Sequence, residues 1–263
     1  MPYLKRKWNI HAKGNKAFNV RAYRVHRLKS IKRKDVGWFI SYAYLGYIFI
    51  GQLPALRESL FFSSTVTPIV LIPVYIASSI LIIGSKRSIK FFLVAAIIGT
   101  AMEFLSLNTG FPFGRYYYTD QIGPFIGQIP VFVPLLWASL SFYSYAAGGK
   151  YGMPFLIVFT DLALDPRFSG HLWIWISTTQ YFGDPITNFV GWFLTSAIII
   201  IFYSIVEKKD LQISMFAIGF YLLFGISSCI SDANASLVLP AIISVMIFIA
   251  SSIFLVRYAK VRK

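Results

Sequence analysis

The chain has 263 residues, 57% of them hydrophobic and 13% charged, with a mean hydropathy of +0.65 and a formal net charge of +15. So apolar a composition excludes a soluble domain with a wet surface and places the chain among polytopic membrane proteins. The single cysteine, Cys229, lies in an apolar run and has no intrachain partner, which excludes a disulfide framework and a thiolate metal site.

Residues 1–36 form a basic arm with twelve Lys or Arg and no apolar stretch long enough for a signal-peptide core. The arm is expected to stay cytoplasmic against anionic lipid headgroups rather than bind nucleic acid, with the first span inserting itself. Apolar runs then follow at 37–53, 64–84, 91–107, 130–147, 151–165, 186–205, 212–231 and 236–256. They lack the period-2 alternation of a barrel, and backbone amides in hydrocarbon must be paired within the segment, so each is predicted to be a helix. The expected fold is an all-α transmembrane bundle of about eight spans, seven being possible: a helical domain over 37–257, a basic tail over 258–263 and both termini cytoplasmic. Charge placement agrees, since in that arrangement 22 of the 25 Lys and Arg lie inside and only Arg57, Arg115 and Arg167 outside. The expected location is the cell membrane; oligomeric state is not legible.

At about 1.5 Å rise per residue, Glu103 in the third span lies about 20 Å from the cytoplasmic face, Asp161 about 15 Å and Asp165 about 21 Å. Three carboxyls thus share the outer half of the bilayer, where ionisable residues default to function. Asp161 and Asp165 are four apart on one helix face, followed by Pro166, which is expected to stop the helix. A like-charge pair in an apolar setting is not easily doubly ionised, so one carboxyl is expected to keep a proton and serve as a general acid.

After the third span comes Asn108-Thr109-Gly110-Phe111-Pro112-Phe113-Gly114-Arg115-Tyr116-Tyr117-Tyr118-Thr119-Asp120, a loop dense in aromatics and turn formers. It either supplies an interfacial aromatic belt or folds back over a cavity. On the same side follow Trp173, Trp175 and Tyr181-Phe182-Gly183-Asp184-Pro185, then Asn188 and Trp192 at helical spacing with Gly191 beside them. Walker, GxGxxG, HExxH and CxxC motifs are absent, and His171 is the single histidine beyond the arm, which leaves no histidine-rich metal site.

These residues carry a resemblance. Glu103, the stretch from Asn108 to Tyr116, Pro130 to Trp137, Asp161-Leu162-Ala163-Leu164-Asp165-Pro166, Trp173-Ile174-Trp175, and Tyr181-Phe182-Gly183 with Pro185, Asn188, Gly191 and Trp192 resemble the CruF-type carotenoid hydratases. That membrane family includes bisanhydrobacterioruberin hydratase and γ-carotene hydratase. The resemblance covers about residues 100–195 and leaves the arm and the last two spans unmatched. It implies addition of water to the terminal isopropylidene double bond of a lipophilic acyclic carotenoid, giving a tertiary alcohol without a cofactor or metal. Asp161 or Glu103 would then donate the proton, and Asp165 or Asn188 would hold the water. Tyr117, Trp175 and Trp192 would shield the cation, and Asn108, Phe113, Arg115, Tyr116, Trp137 and Trp173 would complete the substrate site. A carotenoid cyclase protonating the same end, and a proton-coupled transporter or sensor using the acids as a relay, are the alternatives.

Overall fold

The structure is a computed structural model that describes residues 32–53, 55–56 and 66–261. The basic arm up to residue 31, with its expected headgroup contacts, lies outside the described residues, as does Arg57. The helices are α1 (Arg33–Gly51), α2 (Val66–Ile83), α3 (Ser85–Thr109), α4 (Val133–Phe168), α5 (Ile186–Val206), α6 (Met215–Asn234) and α7 (Val238–Val261). Among the described residues four of them, α3, α5, α6 and α7, are long and apolar enough to cross a membrane by length and composition. Their outward faces carry exposed Leu93, Ile97, Phe104, Ile201, Phe202, Ile205, Ile249 and Phe254. Lipid tails solvate such faces where water does not.

The expected spans at 130–147 and 151–165 correspond to one element, α4, whose helical geometry breaks at Gly149 (φ 64°, ψ −171°). In a straight helix Trp137 and Asp161 would be roughly 36 Å apart. They line the same cavity instead, and Leu140 shares a small hollow with Thr160, so the chain reverses at Gly149 and α4 is a hairpin of two arms. Glycine is required at this reversal. Gly149 adopts the left-handed region, and a Cβ on neighbouring Gly148 would meet Leu156 Cδ1 at 2.7 Å and the Met153 nitrogen at 3.2 Å.

Pro166 does not end the helix; α4 continues to Phe168. Proline at 166 has no N–H for the carbonyl of Leu162, one turn earlier, and the Tyr181 hydroxyl donates to that oxygen at 3.3 Å. An outside donor thus replaces the lost backbone bond, and the last turn survives.

The bundle is not wholly α. The loop after α3 forms β1 (Tyr116–Tyr118), a 3-10 turn (Asp120–Ile122), β2 (Phe125–Ile126) and β3 (Ile129–Pro130), while β4 (Trp173–Trp175) follows α4. β1 pairs antiparallel with β4 in the register Tyr116–Trp175, Tyr117–Ile174, Tyr118–Trp173, and β2 pairs with β3.

The α4 hairpin is the centre, packing against α2, α3, α5, α6 and α7. On its first arm the Tyr143 hydroxyl lies 3.1 Å from Ser41 Oγ of α1 and 2.9 Å from Ser78 Oγ of α2. These bonds tie both outer helices to the core, where interhelical polar contacts add to close packing of small residues. On the other side α5 approaches the loop so closely that a Cβ on Gly191 would lie 2.3 Å from Phe113 Cδ1. Gly191→Ala is therefore expected to lower stability by about 1–3 kcal/mol through overpacking, read as a reduced melting temperature in detergent.

Candidate active site

The loop that follows α3 is anchored by side chains before and after it in the chain, Ser106 of α3 first. Ser106 Oγ donates to the Gly114 carbonyl at 2.9 Å and accepts from the Phe113 N–H at 3.2 Å. Thr187 Oγ1 of α5 donates to the Phe113 carbonyl at 3.0 Å, and the Arg115 N–H donates to Ser177 Oγ at 2.6 Å. The chain is thereby delivered into β1 with a fixed register against β4. Alternation then sends Tyr116 and Tyr118 to one face of the ribbon and Tyr117 to the other.

Tyr116 and Tyr118 point at Glu103. Both hydroxyls donate to its Oε2, Tyr118 at 3.0 Å, and Trp137 Nε1 donates to Oε1 at 2.9 Å. Burial, reinforced by the Glu103 charge, pushes both phenols well above their usual range, so they stay protonated donors. Glu103 is itself buried at 6% exposure with both oxygens accepting. It joins α3, β1 and the first arm of α4.

The second acid cluster sits on the returning arm of α4. Asp161 and Asp165 are both buried, and the Asn188 side-chain amide of α5 donates to Asp161 Oδ2 at 2.9 Å and to Asp165 Oδ2 at 2.5 Å. One NH2 group thus bridges two carboxyls, which holds them on the shared face that their spacing of four dictates. Asp161 Oδ1 is buried without a hydrogen-bond partner. Nearby, Trp175 Nε1 donates to buried Asp184 Oδ1 at 2.8 Å, and burial still pushes that carboxyl up to about 6.

Between the clusters lies a cavity of about 580 Å³. Its lining brings together Glu103, Phe113, Tyr116, Trp137, Asp161, Asp165, Trp173, Trp175, Asn188 and Trp192. Trp137 and Trp192 stack with centroids 4.2 Å apart, and the Trp175 ring lies 4.8 Å from that of Tyr116. A Cβ at Gly99 would stand 2.4 Å from Trp137 Cγ, so the bare α3 backbone there admits the indole.

Three expected site residues fall outside the lining. Asn108, in the last turn of α3, is exposed and turns back to donate to the Phe104 carbonyl at 2.7 Å. Arg115 is exposed, with its side chain folded over Gly110. Tyr117 is 49% exposed, on the ribbon face away from Glu103. In its place the period-2 pattern brings Tyr118 inside, a signal present in the Tyr-Tyr-Tyr and Trp-Ile-Trp triplets. The lining also holds Arg167, His171, Ser227, Ser228 and Ser231, which motif reading passed over. Arg167, expected on the outer side of the membrane as a loop residue, belongs to the last turn of α4 and stacks on the Phe168 ring at 4.4 Å. Tyr118→Phe is expected to remove one bond to Glu103 and cost about 1–2 kcal/mol of stability, while Tyr117→Phe changes nothing. Thermal unfolding of the two variants side by side measures the difference.

Residues 62–251 match the sequence profile of a family described as carotenoid biosynthesis protein. The chain belongs to that family. The matched range of this carotenoid biosynthesis protein takes in both acid clusters, the ribbon and all of the lining except Tyr44, Ile48, Gly51 and Gln52. The chain is also similar to bisanhydrobacterioruberin hydratase of Haloarcula japonica, at 24% identity over 117 residues. That alignment covers 39% of this chain and 40% of the hydratase, so it spans about two fifths of the relative's length. No solved structure matches the chain. A role in carotenoid biosynthesis follows from the family and fits a bundle whose aromatic cavity lies among helices fit for a bilayer.

Proposed function

We propose that the protein is a carotenoid hydratase that adds water across the terminal isopropylidene double bond of an acyclic carotenoid. The observation that carries this reading is Asp161, a buried carboxyl in an aromatic cavity with Oδ1 unengaged while Oδ2 is fixed by Asn188. A proton passes from Asp161 to the CH carbon of the alkene, and the π electrons form the new C–H bond, leaving a tertiary cation on the neighbouring carbon. The stacked Trp137–Trp192 pair and Trp175 stabilise that cation through their ring faces and offer no lone pair to capture it. Water attacks the cation, and its surplus proton returns to the Asp161–Asp165 pair, which restores the acid. Glu103 accepts three hydrogen bonds, which suits an anchor for the aromatic wall better than a proton donor.

The proposed membrane arrangement has eight crossings, with the two arms of α4 counted separately, the basic arm and the 258–263 tail on the cytoplasmic side, and the cell membrane as host. The substrate enters from the lipid. No cofactor takes part in the proposed step. Expression in a host that accumulates lycopene, followed by pigment mass analysis, tests the reaction. A gain of one water per reacted end supports it. An unchanged mass with a blue-shifted spectrum replaces it with cyclisation, and no new pigment removes both.

A further inference from the structure

The cavity has a second wall that the acid chemistry leaves unused. Ser227, Ser228, Ser231 and Asn234 line it from α6, on successive turns of one helix face. Exposure falls along that face: Asn234 is exposed, Ser231 intermediate, and Ser228 and Ser227 are at 5% and 2%. At the rim Asn234 Nδ2 donates to Gln52 Oε1, just beyond α1, at 3.3 Å. From this rim to Ser227 the rise is about 10 Å.

Two residues of the cavity lining each carry a buried oxygen without a hydrogen-bond partner, Ser227 Oγ on α6 and Asp161 Oδ1 on the returning arm of α4. Buried polar atoms are ordinarily satisfied, and an unsubstituted polyene has no group that satisfies either. Water does, given two to four polar partners at each station.

We infer that the Asn234–Ser231–Ser227 face of α6 is the route by which water enters the cavity, apart from the lateral path of the polyene. This inference rests on the hydratase reading. A hydrocarbon substrate and water arriving through one opening would compete; two walls of opposite character keep the aromatic side dry until the cation forms, while oxygen waits across from it. The Gln52–Asn234 bond lies across the outer end of the route.

Full-length protein in membranes, incubated with lycopene in D2O, tests the route. Each protonation places deuterium on the CH carbon of the terminal alkene, and a cation that finds no water loses the protium from that carbon and leaves label in recovered lycopene. In the Ser227→Val/Ser231→Val variant, alcohol formation is expected to fall about tenfold while deuterium in recovered lycopene rises. Asn234→Leu, an exposed change that removes the bond to Gln52, is expected to shift the same ratio in the same direction by about threefold. Unchanged alcohol formation in both variants, or alcohol and deuterium falling together, overturns the route. A wild-type protein that forms no alcohol removes the hydratase reading and the route with it.

Discussion

Asp161→Asn is expected to abolish hydration, with product formation falling at least about a hundredfold while the protein still inserts and melts near the wild-type temperature. Asparagine has nearly the shape of aspartic acid, and its carbonyl oxygen still accepts from Asn188, so the α4–α5 contact persists. It has no acidic proton to give to an alkene. Asp165→Asn also keeps that contact but leaves the Asp161 proton in place, so it is expected to slow the reaction less. Pigment analysis in the lycopene host gives the rates, and full activity in Asp161→Asn would remove that residue from the proposed chemistry.

Glu103→Leu is expected to have the largest effect on the fold, destabilising it by on the order of 3 kcal/mol or more, because Tyr116, Tyr118 and Trp137 would each lose a buried acceptor at once. Glu103→Gln keeps one acceptor and turns an NH2 toward one of these donors, so an intermediate loss is expected. Comparison of the two variants also separates the roles of the acids. An anchor tracks stability, so Glu103→Gln is expected to retain measurable hydration at low temperature, where Asp161→Asn has none. Loss of all activity in a well-folded Glu103→Gln would move the proton donor to Glu103.

The helices were legible because lipid-facing stretches must be both long and apolar, and their ends fall within a few residues of the apolar runs. The hairpin turn was visible too, as the Gly148-Gly149-Lys150 gap between two runs. The ribbon was not. Three-residue strands are too short for alternation to stand out, and Tyr116–Tyr118 reads equally well as an interfacial belt, which is why Tyr117 stood where Tyr118 belongs. Pro166 misled for a tertiary reason: Tyr181, fifteen residues on, supplies the donor that a local rule takes to be missing. The acids of the cavity announced themselves as charges in an apolar context. Ser227 and Ser231 did not, since a serine in an apolar helix serves packing as readily as it serves a ligand, and only the three-dimensional placement distinguishes them.

Because the two arms of α4 fold back on each other, the indole of Trp137 and the carboxyls of Asp161 and Asp165 meet only once the chain has turned at Gly149. During synthesis the returning arm would otherwise face hydrocarbon with two acids and no companions, an unfavourable state for ionisable groups. Delivery of both arms into lipid as a closed pair avoids that exposure, and residues near the Gly149 turn thereby control whether the pocket is ever assembled, from the far end of the helices that form it.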